Sequence, residues 1–388
     1  MKRLHWTLSL LLLAAPLAGC GEDDPAETPD AAMADASLGP DASVDAGGTL
    51  DAAPVCRADG GAAFPGVDSA SCLASATDYT PRVSGSSTDT WAACISDDNS
   101  YHPFNASIST VARIAGFEAI AAKLWGATQP SAQDFIDARV TYLEANGLES
   151  RLSRREDEHY PAAPAACNTL DATTLAANTD RCAGPARLAP IINAAFTAGG
   201  MGLQPRVSAA RIEAALLWFL LISPFKEART CATAAADCDS SWAYYTGGEP
   251  RSGGLGLARY LRALSPATHD RIWDGALAVR CWRDLDNPTG AAANLAMRDQ
   301  AVAQLDKAMI RGVAVVLRDR VARIDHCGTA AQADLAFAQV LGVALDRAAS
   351  AANPTMASVL RTQLAMTDPS QVDRAAVIAA IDALFPCP

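Results

Sequence analysis

The chain has 388 residues and a formal charge of −12 at pH 7, with half its residues hydrophobic. The longest apolar run after residue 20, Ala214–Ile222, falls well short of the roughly 18 residues of a membrane span, which argues against an integral membrane protein. Removing Lys2 and Arg3 with a leader takes the net charge to −14, and nine of the acids lie in residues 21–55. From residue 56 onward 34 acids face 29 bases without a basic stripe, so nucleic acid is not an expected partner.

Lys2 and Arg3, the apolar stretch Leu8–Ala15 and Leu17-Ala18-Gly19-Cys20 follow the order of a secretory leader. Leu-Ala-Gly-Cys resembles the lipobox of bacterial lipoproteins. That resemblance implies cleavage after residue 19 and a lipidated Cys20 that anchors the chain to a membrane. Gly21, rather than Asp, follows the cysteine, which implies the outer membrane. An ordinary secretory leader is the alternative. Residues 20–55 then repeat Asp-Ala with Pro and Gly, without an aromatic residue, and read as a disordered tether.

Ten cysteines remain after Cys20: Cys56, Cys72, Cys94, Cys167, Cys182, Cys231, Cys238, Cys281, Cys327 and Cys387. An even number sent to an oxidising space predicts up to five disulfides, and no Cys-x-x-Cys spacing favours a metal instead. Parity does not give the connectivity. Cys231–Cys238 and Cys167–Cys182 are the short-range pairs, the ones that close the smallest loops.

Residues 56–104 read as an irregular, cysteine-containing lead-in to a helical domain over 105–388. Apolar residues at helical spacing predict helices over about 108–125, 131–145, 186–198, 206–222, 239–247, 254–264, 267–284, 291–325, 330–351, 354–366 and 370–385. No alternating strand pattern appears. The expected fold class is all-α, a disulfide-stabilised multi-helix bundle. Asp239-x-x-Trp242-Ala243-x-x-x-Gly247 recurs as Asp334-x-x-Phe337-Ala338-x-x-x-Gly342, ninety-five residues later. Each copy follows a long amphipathic helix, one carrying Glu213 and the other Asp306. Two pseudo-symmetric halves are one reading of this match, and chance in an Ala-rich chain is the other.

Enzyme signatures are sparse, so catalysis is not the expected function. Neither Gly-x-Ser-x-Gly nor His-Glu-x-x-His is present, and Gly253-Gly254-Leu255-Gly256 lacks the phosphate-loop spacing. Ser223-Pro224-Phe225-Lys226 fits Ser-x-x-Lys but comes without the sheet that such acyl-transfer sites need. His159 sits in the run Arg154-Arg155-Glu156-Asp157-Glu158-His159-Tyr160, whose simplest reading is a solvated charged face.

The segment Asp237–Gly247 resembles the motif Asn-Trp-Asp-Glu-Ala-Trp-Ala-Phe-Tyr-x-Gly of the periplasmic iron-assimilation family. Asp239, Trp242, Ala243, Tyr245 and Gly247 match, and Tyr244 stands for Phe. Asp334-Leu335-Ala336-Phe337 is similar to the Glu-Gly-x-Ala-Phe stretch near that family's end, with Asp for Glu. The likeness spans about residues 205–385. Ser240 replaces the family's Glu, and residues 206–222 hold no His. The resemblance implies a non-catalytic iron-binding or iron-assimilation protein serving an envelope transport partner. Helix bundles build such sites from inward carboxylates, which makes Asp239, Asp334, Glu213 and Asp306 the candidate ligands. Helix caps and salt bridges are the other use for these acids. The competing function is an interaction or scaffolding lipoprotein that has lost the metal.

Overall fold

Alanine and leucine dominate the periodic segments, and polar caps start many of them. The computed structural model describes residues 72, 74–82, 89–126, 129–144, 147–324 and 328–387. The leader, the lipidation candidate Cys20, the 20–55 tether, Cys56 and Cys327 lie outside the described residues. Thirteen α-helices and no strand occur among the described residues. They are α1 (Ser109–Leu124), α2 (Ala132–Glu144), α3 (Leu148–Leu152), α4 (Ala172–Ala177), α5 (Ala189–Gly200), α6 (Pro205–Thr230) and α7 (Ala236–Thr246). The series continues with α8 (Leu257–Leu264), α9 (Pro266–Leu285), α10 (Leu295–Arg323), α11 (Thr329–Ala352), α12 (Pro354–Leu364) and α13 (Arg374–Leu384). The all-α expectation holds.

Side chains close several helix starts. Ser265, Asn294, Asn353 and Asp373 each accept a hydrogen bond from an amide in the first turn of α9, α10, α12 and α13. Pro266 and Pro354 stand in those first turns, where a missing N–H costs nothing.

The core is built around α6, which is apolar on every side from Val207 to Phe225 apart from Ser208, Arg211, Glu213 and Ser223. A helix of that pattern must be wrapped. Helices α5, α7, α10 and α11 pack against it. By length and hydropathy α6 and α11 could each cross a membrane, but 94% of the most apolar window of α6 is buried inside the fold. It is a core helix. It also runs eight residues beyond the predicted end at 222. Ser223 Oγ donates to the Phe219 carbonyl at 2.6 Å, and Ser241 Oγ donates to the Pro224 carbonyl at 2.8 Å. Hydroxyls thus add bonds to carbonyls on either side of Leu220, whose own carbonyl loses the Pro224 amide, and the helix continues through Pro224. The Ser-x-x-Lys match is a piece of this buried turn.

Helix α10 packs along α9, and Gly275 sets their closeness. A Cβ at Gly275 would stand 2.7 Å from Leu305 Cα, so a side chain there would push the two backbones apart.

Four disulfides join described cysteines. Cys231–Cys238 and Cys167–Cys182 are the short-range pairs, with Cα atoms 5.0 and 5.3 Å apart. Cys94–Cys281 pins the lead-in to α9, and Cys72–Cys387 joins the start of the described body to its end. Gln304 of α10 holds the lead-in further, accepting from the Tyr79 amide at 2.8 Å and donating to the Tyr79 carbonyl at 2.9 Å.

The charged run 154–160 is not a solvated face. Arg155 and Asp157 are buried, and every acid and base in the run has a partner. Arg155 reaches Glu227 at 2.8 Å and the Tyr244 hydroxyl at 3.1 Å, Glu156 reaches Arg181, and Glu158 reaches Arg229. His159 lies between Asp157 (2.5 Å) and Asp306 (2.9 Å), with its ring stacked 3.9 Å from that of Phe225. Charge density alone does not distinguish a solvated segment from one whose counter-charges sit on other helices.

Candidate functional site

The two copies of the Asp-x-x-aromatic-Ala-x-x-x-Gly pattern differ at their glycines. Gly247 ends α7 with φ 71°, whereas Gly342 stands inside α11, where a Cβ would meet Leu364 of α12 at 2.5 Å. One glycine stops a helix and the other admits a neighbour. Both copies are helical from the Asp onward and part only at the glycine, so the match amounts to a shared helical segment.

Asp239, in the first turn of α7, spends both carboxylate oxygens on the 101–105 loop. It accepts from the Phe104 amide (3.1 Å), the Asn105 amide (2.8 Å) and the Tyr101 hydroxyl (3.1 Å). Burial pushes its carboxyl upward, against these donors, which pull it down. The loop so held lays Tyr101 flat on Trp242, 4.4 Å between centroids and 3° between planes. Together with Trp273, Arg251 and Asp270 these rings line a groove of about 650 Å³. Behind it the Tyr245 hydroxyl meets His269 Nδ1 at 2.6 Å, and His269 Nε2 donates to the Arg251 carbonyl at 2.8 Å. That contact makes Nδ1 the acceptor. Burial lowers the His269 pKa and keeps the ring neutral.

Glu213 and Asp334 do meet, across Arg320. Helix α6 brings Arg206, Ala210 and Glu213 to one face, α10 supplies Arg320 and Arg323, and α11 supplies Ala333 and Asp334. Arg320 Nη2 is 2.5 Å from Glu213 Oε1, and Nη1 is 3.2 Å from Asp334 Oδ1. The Tyr260 hydroxyl donates to the same Glu213 Oε1 at 2.6 Å, and the guanidinium lies 4.4 Å from the centre of the Phe337 ring. Glu213 is 1% exposed, and burial pushes its carboxyl up while Arg320 and Tyr260 hold it down. Its second oxygen, Oε2, is buried and has no partner among the described residues. Arg206, Glu213, Arg320, Arg323 and Asp334 line a cavity of about 290 Å³, kept open by the small Ala209, Ala210 and Ala333. A pattern of acids could not show this arrangement, because the decisive residue is a base. Arg320 falls on the last turns of α10, where a basic side chain reads as a helix terminus feature.

Asp306 belongs to neither place; its oxygen goes to His159. The expected quartet of Asp239, Asp334, Glu213 and Asp306 is therefore divided among three environments. Nor do the residues fit an iron ion. Asp239 has no oxygen to give, a cation already sits between Glu213 and Asp334, and Asp306 is bound to imidazole. Among the described residues, no group of three or more His, Cys, Asp or Glu side chains is arranged to hold a metal.

No protein-family profile, curated protein or solved structure matches the chain.

Proposed function

We propose that the chain is a non-catalytic outer-membrane lipoprotein, anchored through Cys20, whose helical body binds a partner without a metal. One observation carries the choice over iron assimilation: protein groups already answer both oxygens of Asp239 and one oxygen each of Asp306, Glu213 and Asp334. A carboxylate that is hydrogen-bonded and paired to arginine offers a metal ion little gain over its existing partners. The leader ending in Cys20 supports the anchor, and four disulfides fit an oxidising compartment.

Iron analysis of the purified full chain tests this reading. After incubation with ferric or ferrous salt and desalting, no bound iron is expected. Stoichiometric iron that is lost in Glu213→Gln or Asp239→Asn would restore the iron reading. The anchor has its own test. Cys20→Ser is expected to leave the protein uncleaved or released from membranes; normal maturation and membrane partitioning of that variant would refute it.

A further inference from the structure

The Glu213 cavity has an inner wall and a rim of opposite sign. On the inner wall two carboxylates face one guanidinium, which leaves a formal excess of one negative charge. Glu213 Oε2 is buried without a donor, and Arg320 takes only one oxygen of Asp334. Leaving a buried carboxylate oxygen unsatisfied costs free energy that a hydrogen-bond donor reaching it from the cavity would recover. On the rim, Arg206 is exposed and makes no ion pair or hydrogen bond among the described residues, and Arg323 pairs with Asp319 while also acting on Asp334 at longer range.

We infer that this cavity binds a small zwitterion of the amino-acid or dipeptide class, its ammonium group on Glu213 and its carboxylate toward Arg206. Each alternative leaves one wall unanswered. A simple amine would not engage the rim, and an anion would meet Glu213 and Asp334 head-on. A bare metal ion would meet the Arg320 guanidinium, a cation with no lone pair to give. Size agrees with the charges. About 290 Å³ is at the low end for ligand pockets, which suits a molecule of a few to a dozen heavy atoms. Geometry agrees as well. Arg206 and Glu213 lie seven residues apart on α6, about 10 Å along the axis, and the flexible arginine shortens that span to the length of a short zwitterion. The inference rests on the non-metal reading, since a metal at Glu213 would take the same oxygen.

The test is calorimetric titration of the full chain with glycylglycine, with N-acetylglycylglycine, which lacks the ammonium, and with glycinamide-terminated glycylglycine, which lacks the carboxylate. Glycylglycine is expected to bind saturably. Each blocked form is expected to bind about tenfold more weakly or worse, the worth of one charge-assisted hydrogen bond. Glu213→Gln should abolish the preference for a free amine. Arg206→Ala, an exposed substitution that leaves the core intact, should abolish the preference for a free carboxylate. Equal binding of all three compounds, or no saturable binding of glycylglycine, overturns the inference. Repeating the titration with ferric salt separates the two readings. Displacement of bound glycylglycine by iron overturns the non-metal reading, whereas absence of binding in a chain that also takes up no iron overturns the zwitterion alone.

Discussion

Replacing Arg320 with Met is expected to destabilise the fold by about 3–5 kcal/mol, the usual effect of removing one partner from a buried ion pair. Arg320 is the group that makes Glu213 tolerable at 1% exposure, and it neutralises Asp334 from the same position. Without it two carboxylates remain, one of them fully desolvated, and Tyr260 can donate to only one oxygen. Methionine keeps the stem that crosses Phe337, so the loss reports charge more than packing. The deficit should shrink in acid. A carboxyl whose folded pKa is raised gives stability below its unfolded pKa and loses it as pH rises, so protonated Glu213 relieves the variant. Adding Glu213→Gln should recover part of the loss at neutral pH. Urea unfolding with disulfides intact measures all three chains. A deficit below about 1 kcal/mol, the worth of a surface pair, would show that Glu213 is not held by Arg320.

Stability is also expected to fall by about 3 kcal/mol between pH 6.5 and 9 through one side chain, His159. Burial disfavours its charge, but the hydrogen bonds to Asp157 and Asp306 outweigh burial and raise the pKa from 6.5 to about 9. With the folded pKa above the unfolded one, the contribution is complete below pH 6.5 and gone once pH passes 9. The stacked Phe225 covers the ring, which keeps the pair largely desolvated. His159→Gln should therefore lose much more stability, relative to the parent, at pH 6 than at pH 9. An equal loss at both pH values would mean that the ring packs there uncharged.

Much of the backbone was legible because helix periodicity is a local property. Segments such as 131–145 and 354–366 begin and end within a few residues of α2 and α12, since their apolar spacing and caps lie in the segment itself. Where the sequence misleads, the deciding partner is remote. Ser223-Pro224 looks like a helix stop until the helices packed around α6 are seen to carry it through to Thr230. The 154–160 run looks soluble because Glu227, Tyr244, Arg181 and Asp306 lie 25 to 147 residues away. Asp239 looks like a cap for its own helix and instead caps a loop 134 residues earlier in the chain. Acids can be counted in a sequence, but what neutralises each of them is a tertiary fact. Of the candidate site, the sequence offered Glu213 and Asp334, and the fold added Arg320.

Because Cys72 is bonded to Cys387, the helical body is a closed covalent loop whose joined residues stand 315 positions apart. A single cut in any of its connecting segments would open the ring into one continuous strand and release no fragment. Only reduction would then let pieces separate. If the chain is held by the N-terminal tether proposed above, the bond also decides how force travels. Tension arriving from the N-terminal side reaches Cys72 and passes straight to Cys387, so neither end helix can be peeled away first. Protease-rich surroundings would thus meet a body that can be nicked between Cys72 and Cys387 yet stays in one piece.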